Sequence, residues 1–120
     1  MKRDMDLVRE MLLAVEECER FDGPGTMEIE GRDESEVTYH VKLLRQAGLL
    51  EVLPPSSNPY GASWSVIGLT WQGHEFLDAA RNDTTWRKAL GILQRAGVGA
   101  TKELLVPLLL NLGRQQLGLA

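Results

Sequence analysis

Apolar positions recur at helical spacing from the start of the chain. Leu7, Met11, Ala14, Val15 and Cys18 fall at i, i+4, i+7, i+8 and i+11, while Arg9, Glu10, Glu16, Glu17 and Glu19 take the wet side. This predicts a first helix, begun by Asp4 or Asp6 and stopped by Gly23-Pro24-Gly25. Met27-Glu28-Ile29-Glu30 alternates apolar and acidic, which predicts a short half-exposed strand. After the turn at Gly31 and Arg32, Val37, Val41 and Leu44 make the stripe of a second helix, capped by Asp33 or Ser35 and ended at Gly48. Glu51-Val52-Leu53 and Trp64-Ser65-Val66-Ile67 then read as the two strands of a hairpin. The Pro/Ser-rich stretch from Pro54 to Gly61 forms its long tip.

Three more helices are predicted. One opens around Leu69 to Leu77 with Thr70 as N-cap and stops near Asn82-Asp83. The next is capped by Asp83 or Thr84 and contains Trp86, Leu90 and Leu93. A break at Gly97 and Gly99 precedes a last helix, from Lys102 to about Gln116. Its centre, Leu104-Leu105-Val106-Pro107-Leu108-Leu109-Leu110, is apolar on every side, with Pro107 placed to kink it or to mark a first turn. An all-round apolar helix has to be buried. This one is too short to span a bilayer and lacks the cationic face of a membrane-surface helix. Burial against a second copy through Leu104, Leu105, Leu108, Leu109 and Leu112 is therefore expected, which makes the protein a homodimer; packing over the first helix is the other solution. The element order gives a mostly helical α+β fold: a winged helix with a short β-hairpin wing and additional C-terminal helices. Residues 1–82 are expected to be the winged-helix domain and 83–120 a helical extension that mediates oligomerisation.

Composition narrows the function. The chain has 120 residues, 43% apolar and 25% charged, as in an ordinary soluble domain. The single cysteine, Cys18, excludes an internal disulfide framework and a cysteine-based zinc site; its place on the apolar stripe makes it a core residue. No basic start followed by an apolar run marks a secretory signal, so a cytoplasmic location is expected. The net charge of −4 is unevenly spread: residues 1–53 hold 7 Lys/Arg against 13 Asp/Glu, residues 54–120 hold 6 against 4. An acidic total is the wrong sign for a simple nucleic-acid binder, whose footprint is a basic patch.

The segment Val37-Thr38-Tyr39-His40-Val41-Lys42-Leu43-Leu44-Arg45-Gln46-Ala47-Gly48-Leu49-Leu50 is similar to the recognition helix of bacterial winged-helix repressors of the arsenic-repressor and multiple-antibiotic-resistance types. Nearly the whole chain resembles domain-of-unknown-function family 2513, found in bacteria and phages. The resemblance rests on the opening Met1 to Leu7, on Tyr39 to Leu50, on Leu69 to Asp78, and on Asp83 with Trp86. It implies a winged-helix fold and frequent residence in prophages; it implies no established activity. Compared with the repressors, the support helix before the recognition helix is missing or reduced to one turn. Asp33, Glu34 and Glu36 also place three carboxylates where phosphates would approach.

With Val37, Val41 and Leu44 inward, Thr38, Tyr39, Lys42, Arg45 and Gln46 point outward as candidate readers of a major groove. Arg32 and the wing-tip residues Ser57, Asn58 and Tyr60 are candidates for backbone contacts. Trp71, Phe76 and Leu77 are expected in the core, with His74 bonded locally. Two histidines without a third ligand make no zinc site, and no H-E-x-x-H, phosphate-binding or nucleophile-elbow motif is present. The expected protein is thus no enzyme and needs no cofactor. It is a winged-helix binding module: a DNA-binding transcription regulator of phage or prophage type that contacts double-stranded DNA. The alternative is a protein–protein adaptor or inhibitor whose acidic face (Glu28, Glu30, Asp33, Glu34, Glu36) meets a basic partner.

Overall fold

Asp4 opens the first helix. Its backbone is extended, and its carboxylate accepts the N–H groups of Asp6 and Leu7 at 3.0 and 3.3 Å, which satisfies donors that a helix start leaves without partners. The computed structural model describes residues 1–18, 27–54 and 64–118. In it, α1 spans Met5–Glu17 and buries Met5, Leu7, Val8, Met11, Leu12 and Val15. Cys18 is exposed, contrary to the expectation that it belongs to the core. The reason is local: at Cys18 the backbone leaves helical dihedrals (ψ 117°), so the residue no longer continues the apolar stripe. The helix therefore ends before Gly23-Pro24-Gly25, which lies outside the described residues.

Residues 27–30 form no strand. The described residues contain a single two-stranded sheet, so an alternating segment there has no ladder to join. The chain instead turns, with the Arg32 N–H bonded to the Ile29 carbonyl at 3.1 Å, and enters α2 (Glu34–Gln46). Asp33 holds the N-cap position, but its carboxylate accepts the Ser35 hydroxyl at 2.8 Å and makes no bond to the helix backbone. Val37, His40, Val41 and Leu44 form the buried face. Gly48 adopts φ 74°, which lets the Gly48 and Leu49 N–H groups return to the carbonyls of Arg45 and Leu44 at 3.0 and 2.9 Å.

That reversal leads directly into β1 (Leu50–Leu53), which pairs antiparallel with β2 (Ser65–Leu69). Leu50 faces Leu69 and Glu51 faces Gly68, whereas Val52 faces Val66; Ile67 is thus the extra residue of a bulge. Beyond β2, Thr70 fastens α3 (Trp71–Ala80) to the end of α2. Its N–H donates to the Leu49 carbonyl at 3.1 Å, its hydroxyl donates to the Gly48 carbonyl, and the same oxygen accepts the Gly73 N–H at 3.0 Å. The approach is so close that a Cβ on Gly73 would sit 2.1 Å from the Leu49 carbonyl oxygen. Trp71, expected in the core, is 76% exposed, because the cap turns the first residue of α3 outward while Phe76 and Leu77 are buried.

The chain forms two compact units, Met1–His74 and Glu75–Ala120, which divide inside α3. In the first, α1 packs on α2 and β2, and α2 packs on β1. In the second, α4 (Asp83–Arg95) packs on α5 (Lys102–Gln116). Asn82, and neither Asp83 nor Thr84, caps α4, accepting the Thr85 N–H at 2.9 Å. Thr101 caps α5. Phe76 meets Trp86 edge-to-face at 6.3 Å. The α5 helix runs unbroken through Pro107.

Leu105, Leu109 and Leu112 are buried within the single chain, which corrects their assignment to a dimer contact. They lie at i, i+4 and i+7, and with α4 packed on α5 this row joins Trp86, Ala89 and Leu93 among the buried side chains of the second unit. Of the five leucines assigned to the dimer, only Leu104, 44% exposed, and the half-buried Leu108 keep accessible surface.

Two outcomes are expected. Gly73→Ala should lower the unfolding free energy by about 1–3 kcal/mol, because either α3 or the Leu49 peptide has to move; an unchanged denaturation midpoint would mean that the two do not approach this closely. Leu109→Ala should cost about 2–5 kcal/mol, and by the same amount at every protein concentration. A loss that grows on dilution would return Leu109 to an intermolecular interface.

Candidate nucleic-acid interface

The second helix is held in place from behind by a polar knot. His40 is fully buried; its Nδ1–H donates to the Glu36 carbonyl at 2.9 Å, and its Nε2 accepts the Asp4 backbone N–H at 2.8 Å. The Asp4 N–H can only donate, so the imidazole is the neutral Nδ1–H tautomer. Beside it, Arg32 reaches Asp4 at 2.8 Å, Glu36 at 3.5 Å and Glu10 at 3.7 Å. Burial pushes the Asp4 carboxyl upward, but the Arg32 hydrogen bond, the Leu7 and Asp6 amides and the guanidinium charge outweigh it and hold Asp4 below its ordinary value. The hydrogen bond to Asp4 is also the main influence that raises Arg32. Arg32, a candidate for DNA contact on sequence grounds, thus has its charge matched by three carboxylates of the first unit.

The opposite face of α2 is open. Thr38, Lys42, Arg45 and Gln46 are exposed, and Tyr39 is half-buried with its ring edge-on to His40 at 5.8 Å. Thr38, Lys42 and Arg45 follow at i, i+4 and i+7, a single row about 10 Å long. Charge is sorted along the helix: Glu34 and Glu36 lie in the first turn and Arg45 in the last, which complements the macrodipole. The guanidinium of Arg45 lies over the Trp64 ring, 5.6 Å from its centroid. This contact joins α2 to the base of the hairpin, and Trp64 has no motif that would have marked it in the sequence. Ser57, Asn58 and Tyr60 lie outside the described residues.

Elsewhere the candidate chemistry disperses. His74 and Glu75 are exposed. Among the described residues no group of three or more His, Cys, Asp or Glu side chains could hold a metal ion, and no helix is long and apolar enough to cross a membrane.

Five helices among the described residues, with an antiparallel hairpin between α2 and α3, make this a mostly helical α+β protein consistent with a winged helix. The chain belongs to the family described as "Hypothetical protein (DUF2513)", whose model matches residues 2–99. A Haemophilus influenzae protein named "Uncharacterized protein" is 45% identical over 89 residues, which is 72% of this chain and 73% of that one. No solved structure matches. The family match takes in the first unit and α4 and stops short of α5.

The knot has a pH signature. A carboxyl whose pKa is depressed by folding stabilises the fold above its ordinary value of 3.8 and loses that contribution as pH falls through the lower folded value. Wild-type stability should therefore drop below about pH 4, and Asp4→Asn should be less stable at neutral pH with a shallower acid limb. Parallel pH–stability curves for the two proteins would remove Asp4 from this role.

Proposed function

We propose that the chain is a winged-helix binding module that contacts double-stranded DNA through the outer face of α2, as a transcription regulator of phage or prophage type. The observation that carries this reading is the row Thr38, Lys42 and Arg45, exposed beside Gln46 and continued to the hairpin base by Arg45 over Trp64. Lys42 has no ion pair among the described residues, so its ammonium is available to a phosphate. Thr38 and Gln46 carry groups that read base edges.

The acidic first turn restricts how the helix can approach. Glu34 and Asp33 are exposed at the N-terminal end, so the proposed contact uses the C-terminal half of α2 and the hairpin, with the acidic end turned from the phosphates. No chemistry is needed, and the proposed activity is binding alone, in the cytoplasm. A homodimer would place two such faces on a two-fold site; its contact would fall to the exposed Leu104 and Leu110 of α5 and to Leu117 at its C-cap.

A second reading has its own support. Glu28, Glu30, Asp33 and Glu34 are all exposed, and the first unit carries nearly twice as many acidic as basic residues. That surface suits a basic protein partner, and in this reading the module is an adaptor or inhibitor.

Fluorescence anisotropy with labelled duplexes over a salt series decides between them. Lys42→Ala/Arg45→Ala should weaken binding and flatten the salt dependence, by about 0.9 in log–log slope for each lost phosphate contact. Binding by the double variant equal to wild type would remove the α2 face from the interface. No binding by wild type even at low salt would favour the adaptor, whose partner capture should then fail on charge reversal of Glu30 and Glu34.

A further inference from the structure

The second unit has the charge that the first lacks. Residues 75–120 hold 6 Lys/Arg against 4 Asp/Glu, and two of those four acids are engaged by neighbouring arginines: Asp78 with Arg81 at 2.9 Å, and Asp83 with Arg87 at 3.1 Å. What remains on α4 is cationic. Thr84, Lys88, Gly91 and Arg95 lie at i, i+4, i+7 and i+11, so they share one face over about 16 Å of helix. Thr84, Lys88 and Arg95 are exposed, and neither Lys88 nor Arg95 has an ion pair among the described residues. The open cavity beside Lys88 is lined by Thr84, Thr85, Leu112, Gln115 and Gln116, all neutral, so its charge is unmatched locally. At the centre of the row, a Cβ on Gly91 would meet only the Arg95 guanidinium, at 4.0 Å, which leaves the helix backbone approachable.

We infer that this face of α4 is a second nucleic-acid contact, which binds the phosphodiester backbone of double-stranded DNA without reading its sequence. The inference rests on the DNA reading of α2 and adds a surface to it. Charge complementarity carries it. DNA presents a negative charge every ~1.7 Å along its axis, so Lys88 and Arg95, about 10 Å apart, address separate phosphates. Hydroxyl, ammonium and guanidinium groups all bond phosphate oxygens, and equal losses on specific and random duplexes are what backbone contact requires. An anionic membrane is the poorer match, because Trp86, Ala89 and Leu93 of α4 are buried inside the protein.

The test uses the full chain with a specific and a random duplex at several salt concentrations. Lys88→Ala/Arg95→Ala should lower affinity for specific and random duplexes by the same factor and reduce the log–log salt slope by about 2. The thermal midpoint should stay at the wild-type value, because both side chains are exposed. Lys42→Ala/Arg45→Ala serves as the comparison and should also narrow the difference between specific and random DNA. If the Lys88/Arg95 variant keeps the wild-type slope while the Lys42/Arg45 variant loses binding, the α4 contact is wrong and the α2 reading stands. Wild type that binds no duplex at low salt overturns both. Loss of binding to vesicles containing anionic lipid, with DNA affinity unchanged, would assign the cations to a membrane instead.

Discussion

The bond from the Asp4 N–H to the buried imidazole of His40 ties the beginning of α1 to the middle of α2. An imidazole held this far from water is tolerated because both ring nitrogens are satisfied, one by a backbone donor and one by a backbone acceptor. Asp4 is used twice over, since its carboxylate caps α1 and receives Arg32. The α2 helix is thereby positioned from its inner side, and the rest of the first unit inherits that position. The Gly48 reversal starts β1, and Thr70 and Gly73 then lock α3 against the same reversal. Losing either partner of the imidazole would leave a buried polar group unmatched, which costs more than an ordinary hydrogen bond contributes.

This arrangement separates the structural charges from the available ones. Arg32 is surrounded by Asp4, Glu10 and Glu36, whereas Lys42 and Arg45, about two turns beyond Glu36 along α2, face outward. The net charge therefore says little about binding. Much of the acidity of the first unit belongs to the knot and to helix starts, where carboxylates complement the macrodipole. The same sorting recurs in the second unit, where Asp78 and Asp83 pair with Arg81 and Arg87 and leave Lys88 and Arg95 unmatched.

Helix spacing made most of the fold legible. The stripes Leu7-Met11-Val15 and Val37-Val41-Leu44, the caps Thr70 and Thr101, and the terminator Gly48 all act as their residue types demand. His40 was missed as a core residue, although it stands at i+3 of the α2 stripe and is buried with it. The errors share one cause. Residues 27–30 alternate like a strand but pair with no neighbour among the described residues; Cys18 continues a stripe on a helix that has already ended; Trp71 is apolar but is set outside by the cap. Local pattern proposes an element, and tertiary contacts decide whether it forms and which way it faces.

The sequence by itself determined the helices, the cap at Thr70, the hairpin and the family, because periodicity and capping are short-range properties of neighbouring residues. Only the tertiary structure decided which charges are free and which leucines are covered. Arg32 is drawn into the knot by residues 28 and 22 positions away from it in Asp4 and Glu10, and Leu105, Leu109 and Leu112 are buried in a unit where α5 packs on α4. Both outcomes depend on distances between segments far apart in the chain, and no local spacing carries that information.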